Sequence, residues 1–143
     1  MFLPQSGISL VGVLKISREL ITRMISHALD EYPLEACGLL GGDAEVAKEV
    51  YPARNDAASA RVYTLNPLDH LRADRASEAA GHGIIGVYHS HTHSEAYPSQ
   101  TDVAQAPDPG WHYVLVSLKR RYPVVRSYRI EAGTIVEEDV VEL

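Results

Sequence analysis

The order of apolar and polar positions divides the chain into helix-like and strand-like stretches. An apolar opening over residues 1–13 predicts a strand or an ordered arm. Beyond it Leu20, Ile21, Met24, Ile25, Ala28 and Leu29 recur at helical spacing, with Arg18, Glu19, Arg23 and Asp30 on other faces, so one stripe should meet a core. Ser17 can cap this helix and Pro33 stops it. Cys37-Gly38-Leu39-Leu40 predicts a strand, Gly41-Gly42-Asp43 a turn, and residues 45–51 a second strand. The small polar run 55–59 predicts a loop, and Arg61-Val62-Tyr63-Thr64-Leu65 alternates like a strand. Asn66-Pro67 then opens a helix predicted over residues 67–80 and ended by Gly81, with Leu68, Leu71 and the alanines facing inward. Residues 83–88 are apolar on both faces, the pattern of a central strand covered on each side. The last third predicts strands over 111–118, 124–130 and 134–141, joined by a short basic turn and by Glu131-Ala132-Gly133.

Composition bounds what these elements can build. A chain of 143 residues with 45% hydrophobic content suits one compact domain, expected to span residues 1–143. The balance of 13 basic against 19 acidic residues gives a net charge of -6, which argues against a non-specific nucleic-acid binder. The opening residues lack a basic region and a small-residue cleavage pattern, so they do not read as a signal peptide. Nowhere is there a run of the roughly 20 apolar residues that a bilayer span needs. One cysteine, Cys37, leaves no internal disulfide and fits a reducing compartment; a soluble, cytoplasmic protein is expected.

The stretch from His89 to Asp102 carries the chemistry. If His89 and His91 continue the strand that precedes them, their side chains point the same way about 6.6 Å apart and can converge on one ion. Asp102 can close the set. Two histidines and a carboxylate leave the fourth position of a tetrahedral zinc open, which marks a catalytic site, whereas structural sites fill all four positions. Glu35, at the head of the glycine-bearing strand, is the candidate base. Ser99-Gln100-Thr101-Asp102 also fits a capping box for a short helix ending before Pro107. The two roles are compatible, because a helix N-terminus beside a metal adds positive potential where an oxyanion develops. Cys37 lies in an apolar strand and reads as buried and inert. His93 reads as cleft lining, His27 as a helix-surface or edge residue, His70 and His82 as surface residues, and His112 as core-edge.

A glutamate heading a glycine-bearing strand, then His-x-His, seven residues and Ser-x-x-Asp, resembles the JAMM signature of the MPN+ (Mov34/PAD-1) metallopeptidases. Glu35-Ala36-Cys37-Gly38, Glu95-Ala96-Tyr97-Pro98-Ser99, Tyr113-Val114-Leu115-Val116-Ser117 and Arg126-Ser127-Tyr128-Arg129-Ile130 resemble its bacterial branch that releases cysteine from a ubiquitin-like sulfur-carrier protein. The resemblance implies an α/β, cytidine-deaminase-like MPN domain with a central, mixed, curved sheet flanked by helices. It implies one zinc per chain held by His89, His91 and Asp102, with Glu35 as general base and acid and Ser99 as oxyanion donor. The implied partner is a carrier with a C-terminal Gly-Gly tail, and neither nucleic acid nor a membrane. Alternatives are an isopeptidase acting on another ubiquitin-like protein, a non-catalytic MPN interaction module, and metal storage on the His89-x-His91-x-His93 run. A zinc nucleobase deaminase is excluded, because its His-x-Glu and Pro-Cys-x-x-Cys pattern is absent.

Overall fold

The computed structural model describes residues 12–143; the arm expected over residues 1–13 lies almost wholly outside them. Among the described residues are seven strands and three helices: β1 (Val13–Ile16), α1 (Arg18–Glu31), β2 (Cys37–Asp43), β3 (Val46–Ala53), α2 (Pro67–Ala79), β4 (Gly83–His91), α3 (Gln100–Ala104), β5 (His112–Ser117), β6 (Val124–Glu131) and β7 (Thr134–Glu142). No helix among them is long and apolar enough to cross a membrane.

Capping residues set the helix starts as the sequence predicts. Ser17 accepts from the Leu20 amide at 3.2 Å, and Asn66 accepts from the Asp69 amide at 3.0 Å. Gly81 follows α2 with φ +82°, a conformation that suits glycine. The faces differ in part from expectation. Leu20, Met24 and Ala28 are buried on α1, but Leu29 is exposed; on α2 only Ala73 and Ser77 are buried, while Leu68 and Leu71 face solvent. The small buried side chains let α2 lie close to the sheet.

The sheet is mixed, with the order β1-β3-β2-β4-β5-β6-β7, and it closes on itself. The expected mixed, curved sheet is thus closed into a barrel. The cause of closure is β1, which runs parallel to β7 over four residue pairs and touches β3 at Lys15 and Val46, where the Lys15 amide donates to the Glu45 carbonyl at 2.7 Å. The expected turn at Gly41-Gly42-Asp43 is strand: β2 runs on through a bulge at Gly41/Gly42, and the reversal falls at Ala44, with φ +48°. Residues 61–65 do not form the predicted strand; they make one bridge, Asn55 to Leu65, and otherwise run as a loop.

β4 is the central strand that its two apolar faces predict. Tyr88 packs with Leu14, Ile16, Met24 and Val114 on the α1 side, while Val87 packs with Leu39, Tyr63, Ala73 and Leu115 on the α2 side. Burying an aliphatic chain of this size contributes about 1.5–3 kcal/mol, so the two clusters fix the register of β4. Two glycines make the packing possible. A Cβ on Gly38 would stand 2.3 Å from the Tyr88 ring, and one on Gly86 would stand 2.3 Å from the His112 carbonyl oxygen.

Candidate metal centre

The C-terminal end of β4 delivers His89, Ser90 and His91, with β2 antiparallel on one side and β5 parallel on the other. The β2 register pairs Cys37 with His89, and the Ser90 amide donates to the Ala36 carbonyl at 2.9 Å. The buried Ser90 hydroxyl accepts from the Ala36 amide at 2.8 Å, so one further step along β2 brings Glu35 beside His91. Glu35 is held by its own backbone as well: its amide donates to the Ser59 carbonyl at 2.8 Å, and its carbonyl accepts from Asn55 Nδ2 at 3.0 Å.

Asp102 arrives from the first turn of α3. The predicted capping box is present: the Asp102 amide donates to Ser99 Oγ at 3.0 Å and the Ser99 amide donates to Asp102 Oδ2 at 2.8 Å. The same carboxylate oxygen lies 3.1 Å from His89 Nε2 and 2.9 Å from His91 Nε2, and the two Nε2 atoms are 3.3 Å apart. These three are the one cluster of at least three metal-capable groups among the described residues, and all are buried. A carbonyl oxygen can only accept, so the 2.8 Å contact of His91 Nδ1 with the Glu95 carbonyl places a hydrogen on Nδ1 and leaves Nε2 facing Asp102, where it can hold a proton or a cation. Tyr63 stacks on His89, with centroids 4.4 Å apart and planes inclined by 25°.

The electrostatics follow from burial and this crowding. Burial alone would raise the Asp102 carboxyl; the bonds from His89 and His91 outweigh it and hold Asp102 well below the usual carboxylate range. Burial pushes the His89 imidazole down. His91 feels the same burial, but Asp102 and the Glu95 carbonyl raise it overall. Three electron-pair donors this close are stable only around a positive charge, a proton or a cation. The donor set therefore fits a divalent metal with nitrogen and oxygen preference. Glu35 completes the picture: burial pushes its carboxyl up to about 7, with His91 opposing and Asp102 adding, and its buried Oε1 has no hydrogen-bond partner. Glu35, Ala60, Arg61, His91, His93, Ser94 and Ser99 line a cleft of about 460 Å³ in front of the triad.

His93 lies in this cleft but outside the donor cluster; its Nδ1 is 2.9 Å from Thr92 Oγ1 and its Nε2 3.5 Å from the Tyr32 hydroxyl. Cys37 is fully buried with its thiol pushed up to about 12 by burial, which leaves no thiolate for catalysis. His112 is wholly buried, not core-edge: Nδ1 lies 2.6 Å from Glu138 and Nε2 2.9 Å from the Ala44 carbonyl. His70 and His82, expected at the surface, are half-buried. Sequence reasoning missed Tyr63, Arg61, Asn55 and Ser59, all in a loop whose approach to the histidines is set only by tertiary structure.

Donors of this kind, gathered at a strand end beside a cleft, could hold a metal ion and suit the open site of a metal-dependent hydrolase better than a closed structural one. Comparison with known proteins narrows that class. Residues 17–131 match the family described as prokaryotic homologs of the JAB domain. Over 133 residues, 91% of this chain and 91% of the relative, the sequence is 41% identical to a CysO-cysteine peptidase of Mycobacterium tuberculosis. It is 39% identical over 101 residues to a desampylase of Haloferax volcanii, covering 66% of this chain and 73% of the relative. The solution structure of a Desulfitobacterium hafniense protein superposes with a TM-score of 0.84 at 30% identity, covering 91% of this chain and 92% of that one. The chain belongs to the prokaryotic JAB family of JAMM/MPN+ metallopeptidases, near the branch represented by the mycobacterial peptidase. It is a hydrolase of that type.

Proposed function

We propose that the chain, as a single domain in the cytoplasm, hydrolyses the amide bond after the C-terminal Gly-Gly of a ubiquitin-like sulfur-carrier protein and releases cysteine. The observation that carries this reading is the convergence of His89 Nε2, His91 Nε2 and Asp102 Oδ2 beside the buried, unpartnered Oε1 of Glu35. The 41% identity to a named CysO-cysteine peptidase supports the substrate class.

In this reading His89, His91 and Asp102 hold one zinc ion. When bound, zinc supplies Lewis acidity, polarising a carbonyl and acidifying water. Glu35 accepts the proton of the attacking water and delivers it to the departing amine as the carbon–nitrogen bond breaks. Its raised pKa suits both halves of that task, since an acid–base group works best when its pKa lies near the working pH. Ser99 Oγ already accepts from the Asp102 amide, so its own hydrogen is available to donate to the oxyanion in the cleft that Ser99 lines. Such a donor is worth about 2.7–4 kcal/mol. The Glu95 carbonyl and the Ser99 amide keep His91 and Asp102 aimed, and Tyr63 shields His89 from water.

The test is cysteine release from a ubiquitin-like carrier extended by one cysteine after Gly-Gly, followed by mass spectrometry with zinc supplied. Wild type should release free cysteine and Glu35→Gln should not. Zinc-loaded wild type that leaves every such conjugate intact would overturn the reading. The desampylase relative favours a second one, isopeptide cleavage from another ubiquitin-like protein. It predicts faster release from a lysine side chain than from a terminal cysteine.

A further inference from the structure

We infer that Arg61 is a specificity residue that binds the free α-carboxylate of the amino acid released, so that the site selects a terminal residue over an internal or side-chain-linked one. The inference rests on the peptidase reading above and adds to it the group that recognises the leaving side of the bond.

Arg61 lines the same cleft as Glu35, His91 and Ser99. Of the ten arginines, Arg18, Arg23, Arg54, Arg72, Arg120, Arg126 and Arg129 sit within 4.0 Å of a carboxylate; the side chains of Arg61, Arg75 and Arg121 have neither an ion pair nor a hydrogen bond among the described residues, and of these three Arg61 lines the cleft. Its backbone, by contrast, is tied down. Ser59 Oγ accepts from the Arg61 amide at 3.0 Å and the Val62 amide at 3.3 Å, while the Ser59 carbonyl accepts from the Glu35 amide at 2.8 Å. Thr92 Oγ1 donates to the Ala60 carbonyl at 3.2 Å, and Asn55 Nδ2 donates to the Val62 carbonyl at 3.1 Å. One loop thus fixes an uncommitted cation relative to the general base and to the end of β4.

The chemistry of the cleft makes that cation useful. Glu35 and Asp102 are acidic groups that would repel a substrate carboxylate. Of the two histidines in the lining, His91 belongs to the donor cluster and His93 is already near two hydroxyls, Thr92 and Tyr32. Arg61 is left as the cleft's partner for an anion, and guanidinium binds carboxylate with two parallel hydrogen bonds. A released amino acid carries a carboxylate one carbon from the scissile nitrogen. A lysine in an isopeptide bond carries none there, because its scissile nitrogen is Nζ, bonded to a side-chain methylene far from the backbone carbonyl.

The probe is a fluorescein-labelled peptide ending in Gly-Gly-Cys, prepared as the C-terminal acid and as the C-terminal amide and kept reduced. Binding is measured on the full chain carrying Glu35→Gln, with zinc supplied, and cleavage on the otherwise wild-type chain. The acid should bind about tenfold more tightly than the amide, the modest factor expected of a solvent-facing ion pair. In Arg61→Met the acid-to-amide ratio should fall close to one in both measurements, with the loss in KM more than in kcat, and Arg61→Lys should recover part of it. A ratio that Arg61→Met leaves unchanged, or a wild-type ratio of one, overturns the inference while cleavage keeps the peptidase reading. Arg61-dependent preference in binding without cleavage supports the inference and counts against the peptidase reading. No binding of either peptide overturns it.

Discussion

If His89, His91 and Asp102 form the metal site, zinc should stabilise the chain through Asp102 and independently of His93. A ligand that binds only the native state at a hundred times its dissociation constant adds about 2.7 kcal/mol. For a chain near this size each kcal/mol moves Tm by about 2–4 °C, so chelator-treated protein should gain about 5–10 °C when zinc is restored. Asp102→Ala removes one of the three donors, each within 3.3 Å of the other two. The zinc-dependent gain should then fall below about 2 °C on the same scale. The same change also deletes the Asp102 half of the capping box, which by itself costs about 1 kcal/mol in the metal-free protein. Asp102→Asn separates the effects, because its amide oxygen can still accept from the Ser99 amide while its charge is gone. It should keep most of the metal-free stability and lose the zinc gain. His93→Ala should keep the full gain, since His93 lies outside the cluster. The assay is thermal unfolding with and without zinc, with metal content per chain measured on the same samples. One zinc per chain and an undiminished gain in Asp102→Ala would refute the assignment, and several ions per chain untouched by Asp102→Ala would favour histidine-based metal storage.

Glu35 gives a pH dependence in metal-free protein. Its pKa of about 7 in the folded chain lies above the ordinary glutamate value of 4.5, so its contribution is most favourable below about 4.5 and is lost as pH rises through about 7. Glu35→Gln should therefore raise stability at pH 8 by about 3 kcal/mol or less and leave it little changed at pH 4, read by urea titration at both values; equal effects at the two would contradict the burial of an ionisable group there. Glu138 has the opposite sign. Burial raises its carboxyl, but His112, Ser127 and Arg129 outweigh burial and lower it, so its stabilisation is present above about 4.5 and lost in acid. Glu138→Ala should cost about 3–5 kcal/mol at pH 7 by stranding His112 and Arg129, with zinc content intact; a loss under about 1 kcal/mol would show that the cluster contributes little.

Local signals carried much of the fold. Ser17, Asn66 and Ser99 each mark a helix start by a side-chain oxygen placed before an amide that needs an acceptor, a relation contained within four residues. The two-faced apolar run before His89 identified the central strand for an equally local reason. Failures fell where pairing over long separation decides. Gly41-Gly42-Asp43 carries turn residues, yet flanking strands on both sides keep it extended. Arg61 to Leu65 alternates like a strand, but Asn55 Oδ1 takes the Thr64 amide and Ser59 takes the amides of Arg61 and Val62, so side chains satisfy what a neighbouring strand would have. Closure of the barrel depends on the distant pairing of β1 with β7, which the pattern of neither strand reveals.

The site's location follows from one topological fact. β4 and β5 are parallel neighbours, so the chain leaving His91 cannot turn back in a hairpin; it must cross the carboxyl end of β4 before re-entering at His112. That crossing carries the 92–98 loop and α3 over the two histidines. The loop is anchored below by Ser117 Oγ donating to the Ser94 carbonyl and by the Tyr128 hydroxyl donating to the Ala96 carbonyl. With the path fixed at those points, the Glu95 carbonyl meets His91 and the first turn of α3 brings Asp102 to both imidazoles. An antiparallel β4–β5 hairpin of the same composition would keep His89 and His91 two residues apart on one face, but it would have no crossing segment to supply the carboxylate. The eleven-residue separation of His91 and Asp102 thus reflects the crossover that joins two parallel strands. Shortening the 92–98 loop should lower zinc content before it lowers Tm of the metal-free chain.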